Sequence, residues 1–144
     1  MTTMTDPTPT PCAVCGDTAW NVPDGITPPP SCWTCRTSEV YLSGPMTGLP
    51  DHNYPAFEAA AQHLAPLVHA VVSPTQIGLH DGWTWADYMG EALALQADPD
   101  INTTYMLPGW EQSRGACIEH AFATALNHRI LHAPGAATAT KEIS

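Results

Sequence analysis

The chain reads as an α/β protein: a small, mostly parallel sheet flanked by helices and preceded by an N-terminal zinc ribbon. Three observations lead there. From Glu39 onward, short apolar runs alternate with helical patterns, as in sheets built from strand–helix units. Turn residues, Gly44-Pro45 and Pro108-Gly109, follow two of those runs directly. Ahead of the alternation lie two Cys-x-x-Cys pairs, Cys12/Cys15 and Cys32/Cys35, with sixteen residues between them.

The elements follow in chain order. Residues 1–10 are rich in Thr and Pro and are expected to be disordered. Residues 11–38 hold the four cysteines and almost no periodicity, and form the ribbon-like segment. "EVYLS" (39–43) predicts a first buried strand. "YPAFEAAAQHLAPL" (54–67) predicts a helix with Pro55 in its first turn. "VHAVVSP" (68–74) is a second strand, and "TWADYMGEALALQA" (84–97) a second helix with Thr84 as N-cap. "TTYMLP" (103–108) is a third strand, "GACIEHAFATALN" (115–127) a third helix and "RILHA" (129–133) a fourth strand. Residues 39–133 therefore predict a small Rossmann- or flavodoxin-like domain, and 134–144 a loose tail. Ligands of such sheets bind beyond the carboxyl ends of the strands. That rule brings "SGPMTGLPDHN" and "PGWEQSRG" together.

Composition narrows the function. A chain of 144 residues, 44% hydrophobic and 12% charged, suits one globular domain with a small appendage. Its net charge is -10, and its fixed cations are Arg36, Arg114, Arg129 and Lys141. Duplex nucleic acid is held by neutralising phosphates, so it is not expected as a partner. A single phosphate on a small molecule stays within reach of a helix N-terminus or one arginine. No apolar run approaches the ~20 residues of a membrane span, and no membrane partner is expected. "MTTMTDPTPTP" lacks the basic start and apolar core of a signal peptide, so a cytoplasmic location with free thiols is expected.

Under those conditions the cysteine pairs point to metal. Each pair offers two thiolates to one tetrahedral ion, and the segment between them has too little apolar content to fold alone. One structural zinc per chain, on Cys12, Cys15, Cys32 and Cys35, is expected, with no organic cofactor; a disulfide or redox pair is the alternative. With Arg36 as its one arginine, the ribbon suits a structural or protein-contact role. Cys117 reads as a small buried apolar residue.

Glu119 carries the chemical question. A helix starting near Gly115-Ala116 puts it in the first turn or just beyond, where the helix dipole favours an ionised carboxylate. Phe122 and Leu126, at i+3 and i+7, place it beside the buried stripe. It reads either as a nucleophile facing a cleft or as a helix-start charge. The glycines of "SGPMTG" allow backbone N–H groups to approach a sugar or phosphate, but the loop lacks the Walker lysine and the dinucleotide spacing. Ser113 and Arg114 could hold an anion, and Trp83, Trp85 and Trp110 could stack on a base or fill the core. His52, His80 and His120 could approach the cleft, and no histidine is assigned a catalytic role.

"YLSGPMTGLPDHNYPAFEAAAQHL", "VVSPTQ" and "LPGWEQSRGACIEHAFATAL" together resemble the phage and bacterial relatives of the nucleoside 2-deoxyribosyltransferases, over about residues 39–133. The resemblance implies that Glu119 attacks the anomeric carbon of a 2-deoxyribose and releases the base, leaving a glycosyl ester. It implies sugar or phosphate contacts from Ser43, Gly44, Pro45, Met46 and Gly48, and from Trp110, Ser113 and Gly115, with Ser113 on a 5′-phosphate. It also implies an aspartate in the helix before the third strand. Ala92 stands there, and Asp87, Glu91, Asp98 and Asp100 are the possible substitutes. The function implied is cleavage or transfer at the N-glycosidic bond of a 2-deoxynucleoside or its 5′-monophosphate, in phage or host deoxynucleotide metabolism. A homo-oligomer is implied with it. The alternative is a catalytically weak or inactive nucleotide-binding module whose zinc ribbon contacts a protein.

Overall fold

The structure is a computed structural model and describes residues 11–18, 25 and 29–136. The expectations for residues 1–10, for most of the span between the two cysteine pairs, and for the end of the C-terminal tail lie outside those residues. Four parallel strands form one sheet: β1 (Glu39–Ser43), β2 (Ala70–Val72), β3 (Thr103–Met106) and β4 (Arg129–His132). Their order is β2-β1-β3-β4. A short helix, α1 (Trp33–Arg36), precedes the sheet. Three longer helices connect its strands: α2 (Tyr54–Leu64), α3 (Trp85–Gln96) and α4 (Arg114–Ala125). The predicted parallel α/β sheet flanked by helices is therefore present.

Local chemistry explains several boundaries. Thr84 caps α3 as expected: its Oγ1 accepts from the Asp87 N–H at 3.2 Å. Asp87 Oδ2 accepts from the Thr84 N–H at 2.8 Å, which completes a capping box. Ser113 caps α4 by accepting the Ala116 N–H at 3.2 Å, so this helix begins at Arg114. Asn127, with φ 62°, turns the chain after α4 into β4.

Strand alternation sorts the two sheet faces. Val40 and Leu42 of β1, with Tyr105 of β3, join one core that includes Phe57, Leu64, Leu67 and Val68. Cys12, Val14, Cys32 and Cys35 belong to this same core. The cysteine segment and α2 thus cover one face together, and Ser31 Oγ ties them by donating to the Leu67 carbonyl at 2.7 Å. The opposite face carries Tyr41, Ser43, Thr104 and Met106 and lies under α3 and α4. Gln96, fully buried on α3, clamps that side: its Nε2 donates to Glu119 O at 2.9 Å and to Thr104 Oγ1 at 3.1 Å. This second face is polar where the first is apolar, and the polar groups converge on α4.

Among the described residues, no helix is long and apolar enough to cross a membrane.

Candidate active site and metal centre

The connection out of β1 leads to one edge of the sheet and the connection out of β3 to the other. Between β1 and β3, beyond their carboxyl ends, a parallel sheet opens a crevice. A cavity of about 370 Å³ occupies that end, within the roughly 300–1,000 Å³ range of small-molecule sites. The loop after β1 supplies Gly44, Met46, Thr47, Gly48 and His52 to its wall. The loop after β2 supplies Pro74, Ile77, Gly78 and Leu79. Helix α3 supplies Trp85, Tyr88, Met89 and Ala92, and the start of α4 supplies Ser113, Gly115, Ala116 and Glu119. The loops after the first and third strands do meet.

Glu119 lies in this wall at 5% exposure. It is the sixth residue of α4, past the first turn. The buried stripe of the helix is Ala116, Glu119 and Ala123, not a stripe through Phe122 and Leu126; Leu126 is 39% exposed. Glu119 therefore sits on the buried stripe itself. Its two oxygens each accept a short hydrogen bond from β1: Tyr41 O–H to Oε2 at 2.6 Å and Ser43 O–H to Oε1 at 2.6 Å. Tyr41 and Ser43 are two apart, so a strand puts both on one face, under the helix. Burial pushes the Glu119 carboxyl up to about 7, against the two hydroxyls that stabilise its charge. A dipole-stabilised helix-start charge would move the other way. Tyr41, itself buried beside that carboxylate, has its phenol pushed well above the usual range.

The other expected residues divide. Gly44, Met46, Gly48, Ser113 and Gly115 line the cavity. Ser43 is turned to Glu119, and Pro45 is held through its carbonyl, which accepts from Asn53 Nδ2 at 2.9 Å. Gly44 has a steric reason to be glycine: a Cβ there would meet Leu107 Cβ at 2.8 Å, so the loops after β1 and β3 could not approach. Trp110 is not in the cavity wall. It is buried against Met106 and Ala116 and stacks on His120 at 4.6 Å, with His132 beside it at 6.2 Å. The loop turns its ring across α4 from the cleft.

None of the possible acidic substitutes reaches the cavity wall. Asp87 is spent on the capping box. Glu91 borders a separate smaller groove with His80 and Trp83. Asp98 and Asp100 are exposed in the turn after α3, where Asp98 Oδ1 accepts the Asp100 N–H at 2.9 Å. Ala92 lines the cavity at the place where the sequence resemblance implies an aspartate, and among the described residues Glu119 is the one carboxylate in its wall. Of the tryptophans, Trp85 lines the cavity with the Arg114 guanidinium 4.1 Å over its ring, while Trp83 stacks on His80 at 4.0 Å outside it. Sequence reasoning missed Tyr41, although its offset of two from Ser43 was the available signal. It also missed Tyr54, Ile77, Leu79, Tyr88 and Met89, which give the cavity its apolar wall.

The second centre is the cysteine cluster. The Sγ atoms of Cys12, Cys15, Cys32 and Cys35 all lie within 4.8 Å of one another. A tetrahedral ion with bonds of about 2.3 Å needs sulfurs about 3.8 Å apart, and Cys15 and Cys32 are 3.9 Å apart. The donor set fits a metal ion. Cys12 Sγ accepts from the Cys32 N–H at 3.2 Å and from the Val14 N–H at 3.4 Å. Burial raises the Cys12 thiol, but the backbone N–H groups around it outweigh that and bring it to about 6. Arg129, at the start of β4, donates from Nη1 to Cys35 Sγ at 3.1 Å. A cation therefore faces a cluster that carries excess negative charge once its thiols ionise. Cys117, expected to be buried, is exposed on α4 and donates to the Glu111 carbonyl at 3.4 Å.

Fold and site together define a parallel α/β domain with a buried-carboxylate cleft and a four-thiol cluster packed on the opposite face. Residues 38–132 match the family described as domain of unknown function DUF4406, and the chain belongs to that family. No curated protein and no solved structure matches the chain.

Proposed function

We propose that this protein cleaves or transfers at the N-glycosidic bond of a 2-deoxynucleoside or its 5′-monophosphate, with Glu119 as nucleophile. The observation that carries the reading is the buried Glu119 carboxylate, in the wall of the cavity and gripped by Tyr41 and Ser43. Two hydroxyls on two oxygens fix the carboxylate plane, so its approach to a bound sugar is pre-set. In the first step a Glu119 oxygen bonds to the anomeric carbon as the C–N bond breaks, and its electron pair leaves with the base. In the second, water or a new base attacks that carbon and frees the carboxylate. The apolar wall of Met46, Ile77, Leu79, Trp85 and Met89 suits the faces of a nucleobase. Ser113 and the first turn of α4 suit a 5′-phosphate. A homo-oligomer belongs to this reading through the sequence resemblance.

The test is a cleavage screen of deoxynucleosides and their 5′-monophosphates, with and without a second free base, on wild type and Glu119→Ala. Base release that requires Glu119 supports the enzyme, and dependence on the second base separates transfer from hydrolysis. A second reading has its own observation. Among the described residues the cavity wall holds one carboxylate where two-carboxylate glycosidases use a pair, which suits a nucleotide-binding module without turnover. Thermal stabilisation by nucleotides with no base release would favour that module.

We assign zinc to the four-cysteine cluster, in a structural role, one ion per chain, with the knuckle available for protein contact. When bound, the ion crosslinks the two knuckles on the α2 face of the sheet. Metal analysis of purified protein should find about one zinc per chain, absent from Cys12→Ser/Cys32→Ser. Intact disulfides by mass, with no metal, would overturn the assignment.

A further inference from the structure

We propose that His52 is the proton donor to the departing base. This inference rests on the glycosidic reading of the Glu119 cleft. A base leaves an anomeric carbon readily only if its nitrogen takes up a proton as the bond breaks. Among the described residues, four acid–base side chains stand in the cavity wall: Glu119, His52, Tyr54 and Tyr88. Glu119 is the nucleophile. The Tyr88 hydroxyl is occupied, accepting from the His80 N–H at 2.7 Å and donating to the His80 carbonyl at 3.0 Å. Tyr54 offers a phenol, which takes the acid–base role in catalysis less often than imidazole does. His52 remains, and imidazole is the side chain most often used to give and retake a proton in catalysis.

The backbone treats His52 as a placed residue. Asp51, His52 and Asn53 are three consecutive non-glycine residues with φ of 52°, 53° and 61°. Each is held in the left-handed region at a conformational cost, and such runs persist only where surroundings over-determine them. Three bonds hold the run, one of them from the Tyr54 N–H to the Asp51 carbonyl. The His52 N–H donates to the Leu49 carbonyl at 3.0 Å, and Asn53 Nδ2 donates to the Pro45 carbonyl at 2.9 Å. His52 lines the cavity that Glu119 shares, and it is exposed where Glu119 is buried, so it stands toward the solvent side of that wall.

The proton balance closes. As the Glu119 oxygen bonds to the anomeric carbon, the imidazolium N–H proton passes to another ring nitrogen of the base, N7 in a purine, and the C–N electron pair stays on the nitrogen that held the sugar, so the base leaves neutral. The imidazole is left neutral. In the second step it takes a proton from the attacking water, or from the N–H of an incoming base, and returns to the imidazolium.

The experiment compares leaving groups. Take the purine deoxynucleoside or monophosphate that wild type cleaves best, and its N7-methyl derivative, whose cationic base departs without a proton. Measure kcat/KM for wild type, His52→Gln and Glu119→Gln on both. His52→Gln should lose about 10²–10³-fold on the neutral purine and less than about threefold on the N7-methyl cation. Glu119→Gln should fail on both. Equal loss on both substrates for His52→Gln, or no loss on either, overturns the proton-donor role and leaves the Glu119 reading standing. Wild type and Glu119→Gln equally silent on every deoxynucleoside and 5′-monophosphate, purine and pyrimidine, and on the N7-methyl cations would bring down the glycosidic reading, and this inference with it; cleavage of pyrimidines alone would overturn the purine proton-donor role. The melting temperature of His52→Gln, a substitution at an exposed position, should match wild type and separates lost chemistry from lost fold.

Discussion

Replacing Glu119 by glutamine should change the pH dependence of stability, and the size follows from the geometry. Burial holds the folded carboxyl at about 7 against an ordinary 4.5. Between those values the folded chain keeps a proton that the unfolded chain releases. The contribution is therefore fully present below pH 4.5 and is lost as pH rises through 7. The cost of ionising Glu119 in the folded state is about 3 kcal/mol at pH 8 and under ~1 kcal/mol at pH 5. Glutamine has no such cost at any pH. It offers one acceptor oxygen where Tyr41 and Ser43 use two, so it loses one hydrogen bond, about 1 kcal/mol independent of pH. The stability of Glu119→Gln relative to wild type should thus rise by roughly 2–3 kcal/mol from pH 5 to pH 8. Urea unfolding of both proteins, metal-saturated and at matched ionic strength, measures it. Every other titrating group, including the cysteines, is common to both chains and cancels. A difference that stays flat with pH, or falls, would refute the buried, raised carboxyl.

Three further outcomes are expected. Tyr41→Phe removes the 2.6 Å donor to Glu119 Oε2. It should move the ionisation of Glu119 upward by about one unit and cut turnover at pH 7 by roughly 10–100-fold, with partial recovery at higher pH; a pH–rate profile that moves down, or not at all, counts against it. Arg129→Met removes the 3.1 Å N–H to Cys35 Sγ and should weaken metal affinity about 10–100-fold, read by competition with a chelator. Gly44→Ala forces a Cβ within 2.8 Å of Leu107 Cβ and should cost about 1–3 kcal/mol in urea unfolding, since the approach of two loops must open; unchanged stability would show that the loops are not held together there.

Sequence alone settled what depends on near neighbours. Strand–helix alternation is written in apolar periodicity, so all four strands and three long helices were legible to within a few residues. Thr84 was legible as a cap because capping acts over three residues. The metal cluster was legible because each Cys-x-x-Cys is one local turn bearing two ligands. Glu119 stood out as a lone glutamate in an alanine-rich helix, though its burial and raised carboxyl did not follow from that. The burial that raises it comes from packing α4 on β1, whose Tyr41 and Ser43 meet Glu119 from 78 and 76 residues away in sequence and partly offset the rise.

What only the tertiary structure decided is which side chains face one another. The strand order β2-β1-β3-β4 puts β1 under α4, and with that the Tyr41–Glu119–Ser43 grip exists. The same arrangement carries Trp110 away from the cleft and brings His52 into its wall. It also seats the cysteine knuckle on the face that α2 leaves partly open. Local sequence sets φ, ψ and periodicity, because those are governed by groups a few bonds or one helical turn apart. The packing of one element on another is set by burial of whole faces, a property of the assembled chain that no single segment carries.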